Sequence, residues 1–349
     1  MKATVRHALE FADVSFAYGG LAALENVSFA VEPREIVCLL GRSGCGKTTL
    51  LRLAAGLDLP ASGRILLGGQ EVCGPNRFVP PELRGVGLMF QDYALFPHLT
   101  VADNVAFGLR RQRDGDPRRS VAEALGRVGL SRHASDFPHM LSGGEQQRVA
   151  LARALAPAPR VMLMDEPFSN LDQQTRTVIR NDTVALLRSS GITTLVVTHD
   201  PSEAIAIADR IVLMRTGRVA QIGTPGDLYL EPRSLFAARF FSDANEFDGL
   251  CRAGEVRFAL GLAAARDLPD GPCRVIVRPH DLTLVAADAG GTPGRVVERR
   301  FMGEFSMLQV ALDGDAAPVW VRVPLDDLRR PGDRVALAAL RSYAFPVEG

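Results

Sequence analysis

Up to about residue 236 the chain alternates short apolar runs with longer stretches in which apolar residues recur every three or four positions. An unbroken apolar run of strand length predicts a strand buried on both faces. Five runs qualify: "EIVCLL" (35–40), "GVGLMF" (85–90), "RVMLMD" (160–165), "TTLVVTH" (193–199) and "RIVLM" (210–214). Helical spacing predicts helices over Lys47–Ala55, Val121–Val128, Glu145–Ala156, Thr177–Ser190 (closed by Gly191) and Pro201–Ala208. The N-terminal part, "LEFADVSFAYGG" to "LENVSFAVEP", reads as antiparallel strands with turns. From about residue 244 the texture changes. "GEVRFALG", "CRVIVRP", "LTLVAA", "GRVVERRFMG", "FSMLQVAL", "PVWVRV" and "RVALAAL" are short β-like runs separated by Gly, Pro and Asp turns. The expected fold is α/β over residues 1–236, then a small all-β, OB-like domain over 237–349, with "EPRSLFAARFFSDANEF" (231–247) as a helical link.

The first four predicted strands each finish beside a group able to act: Gly41, Gln91, Asp165 and His199. Open parallel sheets gather ligands at the carboxyl ends of their strands. Polar residues often follow strands, which accounts for one or two such cases but not for four.

The first of these ends carries "GRSGCGKT" (Gly41, Arg42, Ser43, Gly44, Cys45, Gly46, Lys47, Thr48), between a strand and a helix that continues with Thr49. In that context the glycine turn aims backbone N–H groups at phosphate oxygens, and the helix start adds its partial positive charge. Lys47 is expected on the β- and γ-phosphates and Thr48 on Mg²⁺. A surface lysine on a flexible glycine turn shares the letters but not the strand–turn–helix setting. "RVMLMDEP" (160–167) supplies the complement: Asp165 to hold Mg²⁺, directly or through its waters, and Glu166 to face an attacking water as base or orienter.

Composition sharpens one point. Lysine occurs only at Lys2 and Lys47 among 40 basic residues, so an arginine-biased chain keeps a compact ammonium in the glycine loop. Net charge is zero, with 47% hydrophobic and 23% charged residues and no dense run of like charge, which argues against nucleic acid as a partner. Five cysteines sit singly, as reduced thiols of the cytosol do. The N-terminus lacks a signal-peptide core, and no run reaches the roughly 18 apolar residues of a membrane span. Any membrane role then needs a partner subunit.

"LSGGEQQRVALARALA" (141–156) decides which phosphate machine this is. Ser142 and Glu145 form an S-x-x-E capping box, and Gly143 and Gly144 leave a second helix start open to an anion. Lying between the phosphate loop and "RVMLMDEP", the segment resembles the signature motif of ATP-binding cassette (ABC) ATPases. The resemblance covers residues 8 to about 236 and implies a mixed-sheet core, an antiparallel β subdomain and a helical subdomain over about 92–158. It implies that Tyr18 stacks on adenine and that Gln91, in "MFQDYALFPHLTV", senses Mg²⁺ and the membrane partner. It puts Ser142, Gly143, Gly144 and Gln146 on the nucleotide, Asp172 of "SNLD" at the dimer contact, and His199 of "VVTHD" on the γ-phosphate. Arg42 stands where relatives often carry proline.

The implied mechanism is a homodimer with each ATP between the phosphate loop of one copy and the signature of the other. The C-terminal region resembles the TOBE-type barrel of importer ATPases for sugars, polyamines, sulfate or ferric iron; "VIVRPHDLTL" (275–284) carries the match, with His280 where relatives often have glutamate. Residues 77–109 look most like the ferric-iron branch, with polyamine, putrescine and sugar importers close behind. Permease subunits, a periplasmic solute-binding protein and a peripheral place on the cytoplasmic face of a bacterial inner membrane are implied with it. A nucleic-acid or ribosome ATPase of the same class is the alternative. A repair or chromosome ATPase would need a long heptad insertion between phosphate loop and signature, and a translation-type protein two cassettes; neither occurs.

Overall fold

A computed structural model of the chain describes residues 7–75, 77–109, 116–264, 268–286, 290–314 and 317–347; Lys2 lies outside the described residues. The chain divides into two compact units at Gly226/Asp227. The division precedes residue 236 because the linking helix belongs to the second unit, where Leu235 and Ala238 pack with Ile276 and Phe345.

The first unit runs β1 (Leu9–Tyr18), β2 (Leu21–Val31), β3 (Ile36–Gly41), α1 (Lys47–Ala55), β4 (Ser62–Leu67), β5 (Gln70–Gly74), β6 (Arg77–Phe78) and β7 (Val86–Met89). It continues with α2 (Val101–Leu109), α3 (Pro117–Arg127), α4 (Gly143–Leu155), β8 (Val161–Asp165), α5 (Gln173–Ser190), β9 (Thr193–Thr198), α6 (Pro201–Ile207), β10 (Arg210–Arg215) and β11 (Arg218–Gly223). A six-stranded sheet has the order β11-β10-β3-β9-β8-β7. Five of its strands are parallel and β11 is an antiparallel edge. Every residue of β3, β8 and β9 is buried, which is why these strands read as continuous apolar runs: with both faces covered, there is no solvent side to mark with polar residues.

A second, antiparallel sheet has the order β2-β1-β4-β5-β6. Its Leu9, Phe11, Leu24 and Val27 share one core with Leu39, Leu50, Leu53, Leu163 and Val197, so the two sheets close over α1. Between β7 and β8 the chain leaves the sheet to form α2, α3 and α4, which bury Val101, Val105, Leu125, Val149 and Ala152 in a separate core. Helix α2 was not predicted from the periodicity. Its start is secured by Thr100, whose hydroxyl donates to the Asp103 carboxylate at 2.7 Å and accepts from the Asp103 N–H at 3.2 Å.

In the second unit, α7 (Pro225–Leu230) spans the division and α8 (Leu235–Phe240) follows. The strands are β12 (Asn245–Arg252), β13 (Glu255–Phe258), β14 (Gly261–Ala264), β15 (Gly271–Val277), β16 (Leu282–Val285), β17 (Thr292–Phe301), β18 (Ser306–Leu312), β19 (Val319–Val323), β20 (Arg334–Ala339) and β21 (Tyr343–Pro346). The unit is all-β as expected, with its described strands in two five-stranded sheets, β14-β13-β12-β15-β21 and β16-β20-β17-β18-β19. Asn245 ties them: from β12 its amide nitrogen donates to the Trp320 carbonyl at 2.8 Å and its oxygen accepts from the Trp320 N–H at 2.7 Å. Arg278, in the "RPHD" segment, is 0% exposed; its guanidinium lies 3.8 Å from the Tyr229 ring centroid and donates to the Tyr229 carbonyl at 2.6 Å.

Arg84 fixes α1 from its far end. The side chain is buried, and its Nη1 donates to the carbonyls of Leu53 and Ala54 at 2.7 and 2.9 Å while Nε donates to Val79 O at 2.7 Å. A cation there serves the Ala54 carbonyl, adds to the Gly56 N–H already on that of Leu53, and meets the negative end of the helix dipole. Arg84→Met should therefore destabilise the fold by about 2–4 kcal/mol. Urea denaturation checks this as a lower midpoint at unchanged slope; an unchanged midpoint would mean the carbonyls are satisfied without the guanidinium.

Candidate functional site

Strand register builds the site. Strands β3, β9, β8 and β7 are consecutive neighbours in the sheet. Leu40 lies opposite Thr198, Asp165 opposite Val197, and Met89 opposite Met164. The four parallel strands therefore stop nearly level, and Gly41, His199, the Asp165–Glu166 pair and Gln91 all follow at one edge. The convergence expected from separate strand ends is present in the fold.

The phosphate loop turns from β3 into α1 through Gly44 and Gly46, with φ of 81° and 100°. Gly46 admits no side chain: a Cβ there would lie 2.7 Å from Ala23 O and 2.5 Å from Leu24 Cδ2. As the N-terminal cap it also brings no side chain to occupy the first N–H groups of α1, which leaves that end of the helix available to an anion. Lys47 is only 5% exposed, and its Nζ donates to Gly41 O at 2.7 Å and Arg42 O at 3.2 Å. Arg42 contributes its backbone here, so the absence of proline leaves the loop intact. Ser43 and Thr48 are exposed at the mouth, while Cys45 and Thr49 are buried beneath it.

Across from the loop, the Thr48 hydroxyl donates to Asp165 Oδ1 at 3.2 Å. Burial pushes the Asp165 carboxyl up; the Thr48 hydrogen bond opposes that shift, and neighbouring Glu166 adds to it. Glu166 sits in the left-handed region at φ 42°. Such a backbone costs on the order of 1 kcal/mol and persists where its surroundings over-determine it. Here the Glu166 N–H donates to Val197 O at 2.9 Å, and its carbonyl accepts from the Ser169 hydroxyl at 3.0 Å. The result aims the carboxylate at His199, with Oε1 and Nδ1 3.0 Å apart. An ionised carboxylate only accepts, so this contact places the proton on Nδ1.

Thr48, Gln91 and Asp165 line one cleft of about 460 Å³, together with Arg52 and Asn170. These three donors are all oxygens, the set a hard divalent cation prefers, and a buried carboxylate held 3.2 Å from a hydroxyl gains from a cation between them. The residues fit Mg²⁺. Asn170, which carries no sequence signal of its own, donates from its side-chain amide to the Gln91 carbonyl at 2.8 Å and ties the loop after β7 to the loop after β8.

The signature lies on the other core. Ser142 accepts from the Glu145 N–H, and the Glu145 carboxylate accepts from the Ser142 N–H at 2.8 Å and its hydroxyl at 2.7 Å, completing the capping box. Those bonds hold the Glu145 carboxyl below its ordinary range. Ser142 and Gly143 are exposed, whereas a Cβ on Gly144 would lie 2.2 Å from Ile179 Cδ1. One glycine keeps the helix start open, and the other lets α4 approach α5. Gln146, expected on the nucleotide, turns its amide to the carbonyls of Pro138 and Leu141 at 3.0 and 3.2 Å and so braces the loop. Asp172 caps α5, accepting from the N–H groups of Gln174 and Thr175 at 3.1 and 2.9 Å. Tyr18 ends β1 half exposed, its ring edge-on to Phe16 at 4.6 Å.

Comparison with known proteins identifies the family. The ABC transporter family model matches residues 24–169 and the TOBE domain model residues 275–342. A sulfate/thiosulfate import ATP-binding protein of Chromobacterium violaceum is 46% identical over 85% of this chain and 82% of its own. An Fe(3+) ions import ATP-binding protein of Rhodococcus jostii is 43% identical over 96% of this chain and 97% of its own. Among solved structures, a dimeric post-hydrolysis ATP-binding cassette bound to ADP and Pi superposes with a TM-score of 0.55 at 32% identity, covering 62% of this chain and 98% of that one. No helix among the described residues is long and apolar enough to cross a membrane. With phosphate loop, acidic pair and signature in one fold, and with relatives matched across nearly its whole length, the chain belongs to the ABC transporter family, in its branch of import ATP-binding proteins, and is an ATPase.

Proposed function

We propose that the chain is the ATP-hydrolysing subunit of an importer for ferric iron, working as a homodimer beneath separate permease subunits. The observation that carries the hydrolytic reading is the 3.0 Å contact between Glu166 and His199 at the sheet edge where β8 ends on Asp165 and β3 leads into the loop of Lys47. The triphosphate of ATP lies along the start of α1, where Lys47 exchanges its carbonyl partners for β- and γ-phosphate oxygens. Tyr18 offers its exposed ring to adenine. Mg²⁺, held by Thr48, Asp165 and Gln91, neutralises phosphate charge when bound.

Glu166 orients the attacking water and takes its proton. The water oxygen bonds to the γ-phosphorus as the bond to the bridging oxygen breaks, and ADP and phosphate result. His199 holds Glu166 through Nδ1–H, and once protonated it also offers Nε2–H to a γ-phosphate oxygen. Ser142 and Gly143 face outward on a helix start whose core is separate from that of α1, so they serve the γ-phosphate bound by a second copy. Asp172 lies at the same dimer contact.

Ferric iron is favoured by relatives that span nearly the whole chain: Fe(3+) import proteins of Rhodococcus jostii cover 96% and 97% of it. Sulfate is the second reading, supported by the 46% identity of the Chromobacterium violaceum protein. A binding protein outside the membrane delivers the solute, and the subunit sits on the cytoplasmic face of a bacterial inner membrane.

Glu166→Gln should bind ATP with wild-type affinity, lose at least ~100-fold in kcat and accumulate as a dimer in light scattering. Turnover near the wild-type rate would remove Glu166 from the mechanism. Gly46→Ala should weaken nucleotide binding at least ~10-fold, because the loop must move off Ala23; titration with a fluorescent ATP analogue reads the change. For the solute, ATP-driven uptake of radiolabelled ferric iron or sulfate into vesicles holding the chain with its permease and binding protein decides. Sulfate uptake without iron uptake would overturn the iron assignment.

A further inference from the structure

Behind His199 lies an acid that the hydrolytic scheme leaves unused. Glu203 opens α6 and is 8% exposed. Its Oε2 accepts from the Thr198 hydroxyl at 3.0 Å, and that hydroxyl in turn accepts from the Asp200 N–H at 3.1 Å. These two bonds clamp the residues on either side of His199. The other carboxylate oxygen, Oε1, is buried with no hydrogen-bond partner, as are Nε of Arg176 and Nε of Arg180 on α5. Arg176 and Arg180 act on Glu203 electrostatically, and Arg176 Nη2 donates to the Leu171 carbonyl at 2.8 Å, one residue before Asp172. One carboxylate thus holds the Thr198 hydroxyl, next to His199, on one side, and on the other lies in the field of a cation that holds the Asp172 loop.

We propose that Glu203 is a positioning residue for hydrolysis, fixing the His199 loop through Thr198 and the Asp172 loop through Arg176. The inference rests on the roles given above to Glu166 and His199. The neutral acid keeps a carbonyl for Thr198 but loses its hold on the two guanidinium groups. Ionised Glu203 draws Arg176 and Arg180 inward, so both loops are fixed in one arrangement only when the charge is present. The groups that face it are Arg176 and Arg180 from α5, Cys38 from β3, and Asp200 of its own loop. Burial pushes the Glu203 carboxyl up to about 7; Thr198 and the two arginines oppose that shift, and Asp200 adds to it. Because the folded group titrates above the ordinary carboxylate range, ionising it costs stability. The sign follows: the chain loses stability as pH rises through that range up to about 7, in the same interval where the loops become fixed.

The test compares the full chain with Glu203→Gln, which retains an acceptor for Thr198 and removes the charge. Steady-state ATPase kinetics from about pH 6 to about pH 9, and thermal melts at the same values, give the readouts. In the wild type, kcat should climb through about 7. In Glu203→Gln that climb should vanish, leaving kcat ~10-fold lower at the alkaline end while KM for ATP stays within ~2-fold and Tm is equal or higher. Loss of rate at undiminished Tm is what mere structural support would not produce. A variant that keeps the climb, or one whose rate and Tm fall together, overturns the proposal. Failure of the Glu166 assignment registers separately, as continued turnover by Glu166→Gln.

Discussion

A cation with almost no access to water sits at the centre of this fold. Lys47 is held by two carbonyls of its own loop, and such a charge is compensated fully only when an anion joins it. Everything around it keeps that position fixed and reachable. β3 is buried on both faces, Gly46 lets the backbone turn without a side chain, and Arg84 anchors the opposite end of α1. On the function proposed above, the loop is preorganised for phosphate, and binding need not order it at the moment of use.

The parallel sheet brings the proposed binding loop and the proposed reacting groups to one edge. Because β3, β9, β8 and β7 stop at matching register, groups more than a hundred residues apart in sequence arrive together, as the Thr48–Asp165 hydrogen bond records. Several contribute from the segment just past a strand, where the backbone can adopt conformations a strand forbids; Glu166 at φ 42° is the example. The signature is kept apart from this edge by belonging to a different core.

What the sequence disclosed follows from how local each signal is. Helix α1 begins and ends as the pattern predicted, because its glycines mark both ends. Helix α3 begins at Pro117, ahead of the expected Val121, since Asp116 caps it and proline fits the first helical turn. Helix α2 was missed: it is short, and its capping pair Thr100 and Asp103 follows directly on the loop residues of "LFPHLT". The phosphate loop, the acidic pair and the capping box were legible because each is a contiguous string with its own chemistry. Glu203, Arg84 and Arg278 were not, since a charged letter looks the same whether it meets solvent or buried carbonyls and rings. Only the packing of distant elements distinguishes those cases. Likewise, the β-like runs of the second unit announced strands but not their division into two sheets, which depends on long-range pairing.

The close fit of Gly46 against Ala23 and Leu24 has a mechanical consequence. The Glu25 N–H donates to the Gly217 carbonyl and the Gly217 N–H to the Cys45 carbonyl, so β2, the β10–β11 turn and the phosphate loop are stitched into one body. Tyr18 stands on the same antiparallel sheet. On the function proposed above, in which Tyr18 meets adenine and the glycine loop meets the triphosphate, the two contacts belong to one stitched body, like the fixed jaws of a caliper. On that same proposal, the segments that carry Gln91, Asp172 and His199 lie outside this stitched body and are the ones left to respond to loss of the last phosphate.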